Sequence, residues 1–329
     1  MIGRVRRTGI KSGPPRFKKH VAFFPQYSFP WSNGYLLCYI GGTILGKLLQ
    51  HRNVSKFGIT ALVRDTEKGR KLESLGVKVV VGDNSRLELL RDIASQADII
   101  FSASSNVPAA KATLDGAKKH FESTGQPTIY IHTLHRNVDL ELLQADNEGY
   151  IKSYIIVPTT VYGVPTGPVV EAGAQRWQSS ILSYLIPPSL ARGQAGMVGQ
   201  GKNVWDNVEV NELADLYLLI FDAICNEKDA GHGHAGLYFA ENGTHELFHV
   251  YSTIGSVLFE HGKTTSATPT PFTEEEIQKF LGPLAALIGS NARCTANRAR
   301  KLGWKPVKGT NDFLQSVREV APKLLAGLR

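Results

Sequence analysis

The chain has 329 residues, 42% of them hydrophobic, which is enough for one large α/β domain and a smaller lobe. Its formal net charge is +8, but seven basic residues lie among the first twenty, where no acidic residue occurs, so the remainder carries about +1. This distribution argues against a nucleic-acid groove, and the longest apolar stretch, Tyr35–Leu49, is too interrupted to cross a membrane. Three widely spaced cysteines predict no disulfide framework or zinc site and favour a cytoplasmic protein.

Residues 1–33 are basic, rich in proline and without a periodic hydrophobic pattern. We predict that they form a disordered N-terminal arm that the fold does not need. An organelle-targeting leader and translated sequence foreign to the fold are the alternatives.

From residue 34 onward, short apolar runs alternate with amphipathic stretches, a pattern typical of βαβ units. The predicted strands are Ile59–Val63, Val77–Val81, Ile99–Ser102, Thr128–His132 and Tyr154–Val157. Helices are predicted near Thr43–His51, Glu67–Ser74, Leu87–Ala94, Pro108–His120 and Asn137–Ala145. We therefore predict an α/β fold with a Rossmann-type, doubly wound parallel sheet over residues 34–163. Residues 164–329 are expected to form mainly a smaller C-terminal substrate lobe, with some elements that complete the sheet.

The segment Tyr35–Thr43 directly precedes an apolar helical stretch that starts at Ile44, and a dinucleotide-binding fold places its pyrophosphate at such a helix start. Here the chain resembles the extended short-chain dehydrogenases, especially an NAD(P)-binding, epimerase-like group that overlaps the NmrA-like proteins. That family carries Gly-x-x-Gly-x-x-Gly, and aligning its last glycine on Gly41 puts Tyr35 and Cys38 at the two earlier glycine positions. Two missing glycines predict a weakened phosphate cradle. The resemblance implies that the cofactor contacts Tyr39, Ile40 and Gly41.

The ends of the next strands supply further candidate cofactor residues. Arg64 follows a strand where the adenosine ribose would lie, which favours NADP, with NAD as the alternative because Asp65 comes next. The resemblance places Asp83 near the adenine and Ala103 and Ser104 beside the adenosine half. The alternatives are a surface charge at a helix end for Arg64, a helix N-cap for Asp83, and strand-end packing for the small residues.

The catalytic segment departs most from the family, which normally places Ser or Thr after strand five and then a Tyr-x-x-x-Lys helix. Here Thr133 is followed almost at once by His135, so the tens of residues that usually intervene are missing, and no Tyr-x-x-x-Lys occurs there. His135 and Asp139 occupy roughly the positions of the tyrosine and lysine. We predict Thr133 and His135 as catalytic residues, with Arg136 or Asp139 orienting the imidazole; a solvated helix cap is the alternative for His135.

The second half of the chain is closer to the family pattern. Residues 157–163 resemble the strand-six ending that covers the nicotinamide, which makes Pro158 a cofactor contact and Tyr162 a third catalytic candidate. Core packing is the alternative for Tyr162. Residues 199–214 and 297–306 also resemble the extended group, so the likeness runs from Tyr39 to Trp304.

Three functions agree with these features. The first is an NAD(P)-binding oxidoreductase or epimerase-like protein that acts on a carbonyl or hydroxyl group of a small molecule. The second is an NADP-sensing regulator of NmrA-like type without turnover. The third is a defective variant that lacks the first strand and the pre-catalytic loop. The expected partner is a small-molecule substrate rather than nucleic acid or membrane, and a homodimer is left open.

Overall fold

The structure, a computed structural model, describes residues 18–24, 39–178 and 180–327, and its main feature is a seven-stranded sheet. The first half forms β1 (Lys19–Phe24), α1 (Tyr39–Leu49), β2 (Phe57–Val63), α2 (Thr66–Glu73), β3 (Lys78–Val81), α3 (Leu87–Ser95), β4 (Ile99–Ser102), α4 (Val107–Thr124), β5 (Thr128–Thr133), α5 (Arg136–Asn147) and β6 (Ile151–Pro158). The second half forms β7 (Thr160–Tyr162), α6 (Pro168–Glu171), α7 (Ser180–Ala191), β8 (Gly196–Met197), β9 (Val204–Glu209), α8 (Val210–Cys225), β10 (Leu237–Ala240), β11 (Thr244–Glu246), α9 (Leu247–Glu260), β12 (Thr270–Pro271), α10 (Glu274–Phe280), α11 (Leu284–Ile288), α12 (Asn297–Leu302) and α13 (Thr310–Gly327). All the predicted strands and helices are confirmed, with ends that differ by at most four residues.

Strand β1 lies inside the predicted disordered arm, and that prediction is wrong for Lys19–Phe24. β1 is the central strand and pairs in parallel with β2 on one side and β4 on the other. Val21 and Phe23 are buried on one face of the sheet, and Ala22 and Phe24 on the other. The apolar run has only four residues between basic and proline-rich flanks, so periodicity alone did not reveal it. The domain built on this sheet therefore includes β1.

The strand order is β3-β2-β1-β4-β5-β6-β10, and every pair in this sheet is parallel. The predicted Rossmann-type fold is therefore confirmed. After β3 the chain crosses to the other side of β1 and returns as β4. The connections that leave β1 and β4 then diverge, which opens a crevice at the carboxyl ends of these two strands.

Helices cover both faces of the sheet, and the second half of the chain contributes to one of them. One face packs on α1, α2 and α8, and the other on α3, α4 and α5. Because β10 also comes from the second half, residues beyond 163 complete the sheet. α8 packs directly against α1, the helix that follows the central strand.

A second apolar core lies in the C-terminal lobe, where α9 and α13 pack against each other and against α7. Its largest buried side chains include Tyr162, Tyr251 and Phe313. β9 joins β7 in parallel and β11 antiparallel, and β8 pairs with β12. Within the three described ranges, no helix is long and apolar enough to cross a membrane.

Candidate functional site

A small pocket lies at the crevice between β1 and β4, on the side of the sheet that α1 covers. It is lined by Phe23, Gly41, Ile44, Phe101, Ser102, Ala103, Ile131, Thr133 and Tyr217. Three residues predicted from the sequence, Gly41, Ala103 and Thr133, meet here although they are distant in the chain. Phe23 and Phe101 stack with ring centroids 4.7 Å apart and give the pocket an apolar wall.

The first turn of α1 is held by two contacts from the second half of the chain. The buried Tyr39 donates its hydroxyl to the carbonyl of Gly163 at 2.7 Å. Gly42 lies against Gln175, so a Cβ at Gly42 would come within 2.5 Å of Gln175 Oε1 and 2.6 Å of its Cβ. Ile40 is half-buried against the core. Packing therefore requires the glycine at position 42.

The predicted phosphate cradle is described only in part. Tyr35 and Cys38 lie outside the described residues. Gly41, the last position of the aligned motif, is buried in the first turn of α1 and reaches the pocket.

Arg64 stands at the end of β2 with an exposed side chain. The neighbouring Asp65 is the N-cap of α2, where its Oδ1 accepts hydrogen bonds from the N–H groups of Glu67 at 2.8 Å and Lys68 at 3.2 Å. The bond from Lys68 is the main reason that the pKa of Asp65 lies below its usual value. Because Asp65 caps the helix, Arg64 is the charged side chain at this strand end that can face a ligand.

The loop after β3 faces the end of β4. Asp83 accepts hydrogen bonds from the hydroxyl and backbone N–H of Ser85 at 2.6 and 2.8 Å, which lower the pKa of Asp83. It does not cap α3, which begins at Leu87. Asn84 donates its side-chain amide to the buried hydroxyl of Ser104 at 3.0 Å. A second small pocket surrounds this contact and is lined by Phe24, Asn84, Leu90, Ser102, Ser104, Ala109, Ala110, Thr113 and Tyr130.

Thr133 ends β5 and forms a hydroxyl pair with Tyr217. The two oxygens are 2.8 Å apart, both side chains are buried, and either oxygen can be the donor. Tyr217 belongs to α8, 84 residues further along the chain, and lines the same pocket. Such a pair can hold a proton at the carboxyl edge of the sheet.

His135 lies at the start of α5, beside His132 and Asp139. The backbone N–H of His135 donates to Asp139 Oδ1 at 3.1 Å, and His132 Nε2 is 3.5 Å from the same oxygen. Burial lowers the pKa of His135 to about 4 and that of His132 to about 3, and it raises the pKa of Asp139. Both imidazoles are therefore neutral at pH 7, which makes His135 a weaker base than an exposed histidine.

Tyr162 is not placed for catalysis, contrary to one of our predictions. Its side chain is 2% exposed, packs against Phe313 in the lobe core, and donates its hydroxyl to the carbonyl of Gly309 at 2.8 Å. Burial also raises the pKa of Tyr162, so the phenol keeps its proton. Core packing is therefore its role. Pro158 ends β6 beside Ala240 of β10 and does reach the carboxyl edge of the sheet.

Comparisons with known proteins agree with this architecture. No protein-family profile matches the chain. The oxidase ucsJ of Acremonium sp. is 26% identical over 322 residues, covering 82% of this chain and 90% of that protein. Triphenylmethane reductase of Citrobacter sp., solved with NADP(H), has a TM-score of 0.59 at 15% identity and covers 92% of this chain and 99% of its own. UDP-glucose 4-epimerase of Bifidobacterium longum, solved with NAD+ and UDP, has a TM-score of 0.61 at 13% identity, with 94% and 100% covered. This chain has the fold of the extended short-chain dehydrogenases.

Four side chains around the site of this dehydrogenase fold were not predicted from the sequence: Asn84, His132, Gln175 and Tyr217. Asn84 and His132 are sequence neighbours of the predicted residues Asp83 and Thr133, so including the polar residues next to each strand end would have found them. Gln175 and Tyr217 lie in the second half of the chain, where no local motif marks them. Only the packing of that half onto α1 and β5 brings them to the site.

Proposed function

We propose that this chain is an NAD(P)-dependent oxidoreductase or epimerase-like enzyme that acts on a carbonyl or hydroxyl group of a small molecule. The observation that carries the proposal is the meeting of Gly41, Ala103 and Thr133 around one pocket at the crevice between β1 and β4. Doubly wound sheets bind their ligands at this crevice. The nicotinamide cofactors in two structures with the same fold support the cofactor class.

The described residues at the ends of β2, β3 and β4 fit the adenosine half of such a cofactor. The exposed guanidinium of Arg64 can fork onto a 2′-phosphate through two charge-assisted hydrogen bonds. Ala103 and Ser104 are small, so a ribose can approach the backbone closely. Asn84, held by Ser104, adds an amide for a base edge. We therefore favour NADP over NAD.

At the other half of the site, a bound nicotinamide would supply hydride transfer. Thr133 is the residue that we assign to hydrogen-bond a substrate oxygen, and Tyr217 keeps the Thr133 hydroxyl oriented. The neutral imidazole of His135 lies beside the end of β5, and the backbone N–H of His135 donates to Asp139, which fixes the backbone position. Phe23 and Phe101 give this pocket an apolar wall.

Titration of the purified protein with NADPH and NADH, followed by nucleotide fluorescence, tests this proposal. We expect NADPH to bind roughly five- to thirtyfold more tightly than NADH. The pair of the Arg64 guanidinium and the 2′-phosphate should contribute about 1–2 kcal/mol to the binding free energy after screening. Arg64→Ala should remove the preference by weakening NADPH binding alone, and added NaCl should weaken NADPH binding more than NADH binding.

Arg70→Ala is the matched control, since Arg70 is exposed on α2 and should leave both affinities unchanged. Equal wild-type affinities, or an Arg64→Ala protein that loses both nucleotides alike, would show that Arg64 is only a surface charge. Failure of the wild-type protein to bind either nucleotide would overturn the proposed function and favour the defective variant.

A second candidate is an NADP-sensing regulator without turnover, and one observation favours it. The pKa of His135 lies near 4, about three units below neutral pH, so this group is a poor acid or base at pH 7. Nucleotide binding together with no oxidation of NADPH by a panel of aldehydes and ketones would favour the regulator. Measurable NADPH consumption would favour the enzyme.

A further inference from the structure

The first turn of α1 is connected to a buried carboxylate in the second half of the chain. Glu209 is 1% exposed and is the N-cap of α8, where its Oε2 accepts from the backbone N–H groups of Asn211 at 2.8 Å and Glu212 at 2.9 Å. Its Oε1 accepts from the side-chain amide of Asn211 at 2.7 Å and from Lys308 Nζ at 3.1 Å. Lys308 is the cation that pairs with this carboxylate within the described residues.

The segment that carries Lys308 is fixed onto α8. The Glu212 carboxylate accepts from the backbone N–H groups of Val307 at 2.9 Å and Lys308 at 3.2 Å. The indole N–H of the buried Trp304 donates to the carbonyl of Glu212 at 2.8 Å. Lys308 therefore reaches Glu209 from a backbone that is already held in place, although half of its own side chain faces solvent.

On its other side Glu209 lies against Gly163, which connects it to α1. Gly163 has a φ of 95°, and a Cβ at this position would come within 2.9 Å of Glu209 Oε1. The carbonyl of Gly163 accepts the hydrogen bond from Tyr39 in the first turn of α1. Burial and then the charge of Glu209 raise the pKa of Tyr39, so the phenol stays protonated and remains a donor. A continuous chain of contacts thus runs from the half-exposed Lys308 through the buried Glu209 and Gly163 to the buried Tyr39.

We propose that Lys308 is a positioning residue for the first turn of α1, because it neutralises the buried Glu209 carboxylate against which Gly163 and then Tyr39 are packed. A buried charge that loses its partner draws water or moves, since its desolvation is no longer offset. Either response displaces Gly163, for which the close contact with Glu209 leaves no free space. The consequence for dinucleotide binding rests on the proposed function, whereas the effect on α1 does not.

Hydrogen exchange of the peptide that covers Tyr39–Leu49, measured by mass spectrometry without nucleotide, tests the effect on α1. Lys308→Met should make this peptide exchange about tenfold faster, as expected when a local opening becomes easier. The single variant Lys308→Arg keeps the cation and should exchange at the wild-type rate. Lys305→Met, at an exposed lysine of the same segment, is the matched control and should also exchange at the wild-type rate.

The double variant Glu209→Gln/Lys308→Met separates a charge effect from general damage. Glutamine removes the buried charge but can still accept from the N–H groups at the start of α8. If Lys308 acts by neutralising Glu209, exchange in α1 should be slower in the double variant than in Lys308→Met. The proposal would be overturned if the double variant exchanges as fast as Lys308→Met or faster, or if Lys308→Met exchanges at the wild-type rate.

The same variants give a second result for nucleotide binding. Lys308→Met should weaken NADPH and NADH binding alike, by about fivefold, because the whole first turn of α1 is less ordered. A wild-type protein that binds neither nucleotide would overturn the proposed function while leaving the exchange result to decide the role of Lys308. Faster exchange in α1 with unchanged nucleotide affinity would support the role of Lys308 in α1 and overturn its expected consequence for nucleotide binding.

Discussion

At the scale of single residues, burial decides the protonation of the candidate site and predicts a pH dependence of stability. The pKa of His132 is about 3 in the folded protein and near 6.5 when the chain unfolds. Between these pH values the unfolded chain binds a proton that the folded chain does not, so the free energy of unfolding falls as the pH drops below about 6.5 and levels off near pH 3. When the free energy of unfolding is measured by urea titration from pH 7 to pH 4, its slope against pH should be shallower for His132→Gln than for wild type.

The slope, rather than the absolute stability, is the measurement that matters here, because a glutamine in this buried position also changes packing. His234→Gln is the control, since His234 is exposed and should leave the slope unchanged. Equal slopes for His132→Gln and wild type would mean that His132 does not stay neutral in the folded protein.

The hydroxyl pair at the end of β5 predicts coupling between two distant residues. Thr133→Val and Tyr217→Phe should each lower the free energy of unfolding by about 1–3 kcal/mol, because each leaves a buried hydroxyl without this partner. The loss of unfolding free energy in the double variant should be smaller than the sum of the two single losses by at least about 0.5 kcal/mol. Denaturant unfolding of all four proteins measures the coupling, and simple additivity would argue against the pair.

At the scale of elements, two glycines in α1 are predicted to respond oppositely to alanine. Gly42→Ala places a methyl group 2.5 Å from Gln175 Oε1, so overpacking should destabilise the protein by about 1–3 kcal/mol. In Gly46→Ala the atom nearest to the added methyl carbon is Val169 Cγ2, 3.8 Å away. There the higher helix propensity of alanine should leave stability unchanged or raise it by up to about 1 kcal/mol. Thermal unfolding distinguishes the two, and equal effects would contradict the contact with Gln175.

At the scale of the whole molecule, β1 decides how much of the N-terminus the protein needs. Deleting residues 1–24 removes the central strand and four buried side chains, so we expect loss of cooperative unfolding in calorimetry. Our expectation that the N-terminal residues are dispensable stays a prediction for residues 1–17. Deleting those alone should lower the melting temperature by no more than a few degrees. A cooperative transition in the longer deletion would mean that β1 is not needed for the sheet.

The sequence by itself determined the order of strands and helices in the first half, because each amphipathic period is a local property. Ile99–Ser102 and Thr128–Thr133 were recognisable because buried parallel strands are apolar runs bounded by turn residues. Candidate residues at the strand ends, such as Arg64 and Ala103, followed from the same reasoning, since parallel strands present their carboxyl ends at one edge.

Only the tertiary structure decided which side chains meet at that edge. β1 was missed because its four apolar residues signal a strand only when β2 and β4 cover both sides. Tyr162 was misassigned because its neighbourhood in sequence lies near the site while its ring packs into the lobe core. Tyr217 and Lys308 form hydrogen bonds with Thr133 and Glu209, which lie 84 and 99 residues away in the chain. Such contacts depend on how the second half of the chain packs against the first, which no local pattern of residues specifies.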